Sequence, residues 1–179
     1  MKHIATVALI FHFGAAGIYA QSGPLNVRLS GTAAASTINL LPGTTTSEYR
    51  LAGNAAGLGQ LDLRVVSVST PAPQRGTCSV NGSAVAGASV FRFDNGDLLT
   101  GILKEGSDCI DFSTRQAICI RVFNVTGGTG RFKNAAGGTI TLTMTLAPVL
   151  GDASGNPVFF TVTGSVTGWL DQGPEGGQP

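Results

Sequence analysis

The chain has 179 residues, 42% hydrophobic and only 12% charged, enough for one domain with a real core and too apolar for a disordered chain. A formal net charge of +1 supplies no basic surface, so nucleic acid and a polybasic membrane contact are both excluded as partners. The 26 glycines, with abundant Thr, Ser and Val, favour turns and strands over helices.

Residues 1–20 read as a secretory signal peptide. Met1-Lys2-His3 is a short positive start, Ile4 to Phe13 is mostly apolar, and small residues lead to Ala20, so cleavage is expected between Ala20 and Gln21. The stretch is too short for a spanning helix, and no later run is long and apolar enough for an integral membrane span. The expected location is therefore secreted, or the periplasm and cell envelope. Cleavage would remove Lys2 and both histidines, His3 and His12, leaving ten basic against ten acidic residues. A chain without histidine has no His-based triad, no His general base and no His-ligated zinc. No cofactor and no metal site is expected.

Residues 21–172 then form a single β domain, and Gly173 to Pro179, rich in Gly and Pro, forms a flexible tail. Short strands are expected near Leu25–Leu29, Ser36–Leu41 and Glu48–Leu51. Leu61 to Val65 alternates, and Val66 with Val68 continues in the opposite phase, which points to a bulge. Ser69 to Gly76 is a loop. Val90 to Phe93 and Leu98 to Leu103 flank Asp94-Asn95-Gly96-Asp97, where Asn-Gly signals a two-residue hairpin turn with positive φ at both central residues. Gln116 to Val125 is a long strand. In Gly138 to Leu146, Ile140, Leu142, Met144 and Leu146 face one way and four threonines the other, as on a half-buried antiparallel strand. Phe160 to Thr167 repeats the pattern after a loop at 148–157. Some eight to ten strands joined by hairpins, with no helix, leave an antiparallel β-barrel or a β-sandwich. The long regular strands favour the barrel, of about eight strands.

Three cysteines follow the signal, Cys78, Cys109 and Cys119, and an oxidising compartment allows a disulfide. A hairpin centred on Thr114 sets Cys109 opposite Cys119, the expected pair, with Cys78 bridged to one of them as the rival. Among charged strand residues, Asp62, Arg64 and Arg121 are the candidate catalytic or ligand-facing groups, against the alternative that they face solvent on the outer wall. Asp152 to Asn156 lacks the acidic ligands and closing Glu of a calcium loop.

The segment from Thr126 to Gly138 carries Gly-rich turns with Arg131 and Lys133, yet it joins strand to strand. No helix follows to serve a phosphate, so its glycines serve tight turns and Phe132 fills apolar space. The spacing Gly127-Gly128-Thr129-Gly130, Phe132, Ala135, Gly137 resembles the Gly-Gly-Thr-Gly-x-Phe-x-x-Ala-Arg-Gly signature of plant dirigent proteins, which share an eight-stranded barrel with allene oxide cyclases. With Phe93 to Asp97 upstream, it is similar to exported bacterial members of that barrel class. It departs at Ala136, where the signature has Arg. The resemblance implies the closed barrel, a homo-oligomer built through an outer face, and either a cyclase-like or a stereochemistry-directing role. From the residues themselves, the leading expectation is a non-catalytic barrel that binds a small apolar ligand or serves as an envelope or surface module. A carbohydrate-binding or adhesion module is the remaining alternative, to be marked by exposed aromatics, for which Trp169 and Tyr49 are the candidates.

Overall fold

A computed structural model describes residues 23–36, 38–135 and 137–170; the expected signal peptide and tail lie outside the described residues. Eight strands run in chain order: β1 (Gly23–Ala35), β2 (Thr45–Ala55), β3 (Gly59–Ala72), β4 (Val80–Phe93), β5 (Leu98–Asp111), β6 (Gln116–Gly128), β7 (Thr139–Gly151) and β8 (Pro157–Leu170). Each pairs antiparallel with its neighbours, and β1 pairs with β8 from Gly23↔Leu170 to Ala34↔Phe159, so the sheet closes into a barrel. That closure excludes the sandwich and leaves no open sheet edge. Among the described residues no helix is long and apolar enough to cross a membrane.

Period-two alternation sets the walls. Leu61, Leu63 and Val65 of β3, Ile140, Leu142, Met144 and Leu146 of β7, and Val162 and Val166 of β8 are buried in the core, with threonines on the opposite face. Phe91, Phe93, Leu99 and Phe123 fill the barrel towards the end where β2 meets β3 and β4 meets β5. The Gly-rich segment plugs that same end. Its short 3₁₀ turn, Gly130–Phe132, carries Phe132 into the core, with its ring centroid 4.7 Å from that of Phe93. A Cβ on Gly128 would collide with the Leu98 carbonyl oxygen and lie 2.6 Å from the Phe132 Cβ, so this close approach requires glycine. Arg131 donates to Asp97 at 2.8 Å and to the Leu58 carbonyl at 3.2 Å, tying the plug to two neighbouring turns. Ala135 is buried beside the plug, and Gly137 completes the turn with a φ of +87°.

Several local expectations are corrected. The described residues of Ser36–Leu41 form no strand: β1 runs to Ala35, β2 begins at Thr45, and Ile38, Leu40 and Leu41 are exposed between them. Pro42-Gly43 ends any extended ladder there, since proline lacks the N–H a ladder needs. The hairpin at Asp94–Asp97 forms, but only Gly96 has positive φ, +87°. Gly96 N–H donates to the Phe93 carbonyl and Phe93 N–H to the Asp97 carbonyl, each at 2.9 Å, which makes a three-residue loop with the glycine as the bulge residue. The bulge lies in the β3–β4 ladder between Val68 and Ser69, with the extra residue, Val85, on β4 and not on β3, and Val66 faces outward in step with Arg64.

The disulfide is Cys78–Cys109, not Cys109–Cys119. The β5–β6 hairpin pairs Asp111 with Gln116, Cys109 with Ile118 and Asp108 with Cys119, so it is centred between Ser113 and Thr114. That one-residue difference sends Cys109 and Cys119 to opposite faces of the sheet. Cys109 pairs across β4 with Asn81, which brings it to Cys78 just upstream, at a Cα–Cα distance of 5.3 Å. Cys119 is free and buried.

Candidate functional site

The four loops at the other end of the barrel do not plug it. The β1–β2, β3–β4, β5–β6 and β7–β8 connections surround the mouth of a cavity of about 660 Å³. Its wall is largely apolar, with Val80, Ile110, Phe112, Leu146, Val149 and Phe160. Such a volume falls in the range of small-molecule sites, which combine an apolar wall with a few placed polar groups.

The polar groups form the floor, halfway down the barrel. On β6 the inward series runs Cys119, Arg121, Phe123, Val125, so the arginine occupies a core position and is only 1% exposed. All five of its N–H groups are accepted within the protein. Nε donates to Ser67 Oγ at 3.2 Å. Nη1 donates to the carbonyls of Ser107 at 3.1 Å and Ile120 at 2.9 Å. Nη2 donates to Tyr49 OH at 3.4 Å and Ser69 Oγ at 3.3 Å. Its charge is matched by Asp108, whose Oδ1 lies 2.7 Å from Nη2. That contact is shorter than either hydrogen bond from Nη2 to the tyrosine or the serine, so the ion pair is the tightest contact of the floor's guanidinium. Ser69 completes the circuit by donating to Asp108 Oδ2 at 2.7 Å.

Burial sets the protonation of the floor. It pushes the Tyr49 hydroxyl far above the usual tyrosine range, with Cys119 adding to the shift and Arg121 opposing it. It does the same to the Cys119 thiol, reinforced by Asp108. Burial opposes the Arg121 charge, yet the acidic groups beside it, Tyr49, Asp108 and Cys119, hold its pKa above the usual arginine value. Cys119 is thus a thiol and a poor nucleophile.

A stability profile follows. In the unfolded chain Cys119 ionises near about pH 8.5 and Tyr49 near about pH 10. The native state keeps both protons over that window, so it binds more protons than the unfolded state. Stability is complete below these values and falls as pH rises through them, by about 1.4 kcal/mol per pH unit for each group. Urea titrations at pH 8, 9 and 10 should show the decline in the parent chain. Cys119→Ala should lose its earlier part, and equal slopes in the two would show that the thiol ionises in place.

The three candidate residues separate. Arg121 is in the floor. Asp62 and Arg64 are exposed on the outer wall of β3, opposite Arg92 and Val90 of β4, and do not approach the cavity. Of the candidate aromatics, Tyr49 is in the floor and Trp169 is exposed. The floor residues that the sequence did not single out as site candidates are Asp108, Ser67, Ser69 and Cys119. Among the described residues no group of three or more His, Cys, Asp or Glu converges as a metal site. Asp152 spends its carboxylate on its own loop, accepting from the N–H groups of Ser154 at 2.8 Å and Asn156 at 2.9 Å.

No family model matches the chain, and no curated protein matches it. Among solved structures it is similar to a pterocarpan synthase dirigent protein, at 13% identity and a TM-score of 0.37 over 91% of this chain and 98% of the other. At that distance the likeness assigns neither residues nor activity.

Proposed function

We propose that this protein is an exported, non-catalytic barrel that holds a small, mostly apolar molecule in its open end. The observation that carries the reading is the coexistence of a sealed end and an open one. Phe132 and its neighbours pack one half, whereas the other half is an apolar cavity above a fully hydrogen-bonded arginine. The non-catalytic part is supported by the chemistry of the floor: the thiol and phenol are held protonated, and the carboxylate is paired with Arg121. Export is supported by the signal-like start and by the Cys78–Cys109 disulfide, a bond that persists in oxidising compartments.

The test uses N-phenyl-1-naphthylamine, a neutral dye that brightens in apolar surroundings. Saturable one-to-one binding is expected. Ala117→Trp, which fills the cavity wall, should weaken it at least tenfold. No saturable binding, or equal binding by the variant, would overturn the reading.

A second reading has one observation in its favour. A cyclase-like or dirigent-like protein works mainly by positioning its substrate, and it needs an open pocket with an inward charged group. Arg121 and Asp108 meet that requirement, and the Gly127–Gly137 spacing resembles the dirigent signature. Saturable turnover that depends on Asp108 would replace the first reading with this one.

A further inference from the structure

An arginine at the floor of an apolar cavity suggests an anion site, and the geometry argues against it. Binding a carboxylate requires free N–H groups aimed at it. Arg121 has none to offer, since all five are accepted by Ser67, Ser107, Ile120, Tyr49 and Ser69. Its charge is already balanced by Asp108. The floor presents an acceptor instead. Oδ1 of Asp108 is buried against the arginine, but the side chain keeps 12% of its surface and lines the cavity. Oδ2 accepts one hydrogen bond, from Ser69, and an ionised carboxylate oxygen has room for a second.

The strand opposite leaves that oxygen uncovered. Gly82 of β4 pairs with Asp108 and also lines the cavity. A Cβ built on Gly82 would stand 3.1 Å from Oδ2, so the absence of a side chain leaves a gap over the acceptor. Its φ is not positive, so the glycine is not required by the backbone.

We infer that the cavity selects a small, mostly apolar molecule with one hydrogen-bond donor, a hydroxyl in the simplest case, seated on Asp108 Oδ2 in the gap left by Gly82, and that it discriminates against carboxylates. This rests on the cavity being a ligand site, as proposed above. A carboxylate seated on the floor meets Oδ2 as a like charge. One held at the mouth leaves its tail against Asp108, desolvating the oxygen without a partner.

The experiment is calorimetric titration of the folded chain with three probes of similar length: 1-octanol, heptyl methyl ether, which lacks the donor, and octanoate at pH 7. Octanol should bind at least tenfold more tightly than either of the others. Gly82→Ala, which leaves both charges in place and covers Oδ2, should weaken octanol at least tenfold and leave the ether unchanged. Asp108→Asn, if it folds, should narrow the gap between octanol and octanoate. Octanoate or the ether binding as well as octanol, or an octanol affinity untouched by Gly82→Ala, overturns the inference while leaving cavity binding intact. Failure of all three probes together with the dye overturns both.

Discussion

Asp108→Ala is expected to destabilise the barrel by about 3 kcal/mol, the lower end of the range for breaking a buried ion pair. Arg121 is the reason. It is 1% exposed, cannot shed its proton at any pH the fold survives, and without Asp108 would carry an unmatched charge in the middle of the barrel. The cost stays near the lower end because Asp108 is 12% exposed and lines a cavity that water can enter from the mouth. Ser69 also loses its acceptor. Arg121→Met removes the charge but strands five acceptors, among them two backbone carbonyls. It should therefore also be costly. The Asp108→Ala/Arg121→Met pair should recover part of the loss, because a buried ion pair replaced by apolar groups is often neutral in stability. Urea midpoints at constant m-value give the double-mutant cycle. A loss under about 1 kcal/mol for Asp108→Ala would mean that solvent in the cavity screens the guanidinium, and the floor would then count as a surface feature.

The same parity rule that builds the walls sorts the charged residues, and it was available in the sequence. Asp62 and Arg64 alternate with Leu61, Leu63 and Val65, so they must point away from the core. Arg121 shares its phase with Cys119, Phe123 and Val125, so it must point in. Asp108 was hidden for a different reason. It follows Lys104-Glu105-Gly106-Ser107, a polar run that reads as a turn, so the sequence pattern ends the strand at Leu103. In the fold β5 continues to Asp111 through an irregularity between Leu103 and Glu105, and that shift turns Asp108 inward. Ser67 and Ser69 gave no signal, because a serine at an inward position looks like any other until its partner is known. The hairpins and the period-two strands were legible because they depend on neighbours in sequence. The floor depends on residues up to 72 positions apart, as Tyr49 and Arg121 are.

Removing the disulfide should cost about as much as breaking the ion pair. Cys78 and Cys109 are 31 residues apart, and closing a loop of that length stabilises by roughly 4 kcal/mol in the chain-entropy treatment of the unfolded state. Cys78→Ser/Cys109→Ser should therefore lower the urea midpoint, and reduced parent protein should match it. Had Cys109 paired with Cys119, the loop would have been about a third as long and its contribution nearer 3 kcal/mol, so mass mapping must accompany the midpoints. Unreduced tryptic digestion should join residues 76–92 to residues 105–115 and leave 116–121, which carries Cys119, as a free thiol peptide. The bond also bears on the cavity. It ties the stretch leading into β4 to the residue next to Asp108, at the rim where Val80, Asn81 and Ile110 line the mouth. Loss of dye binding on reduction, at a denaturant-free temperature where circular dichroism shows the barrel still folded, would place the bond's second role in holding that rim. Unchanged binding would confine it to the unfolded chain.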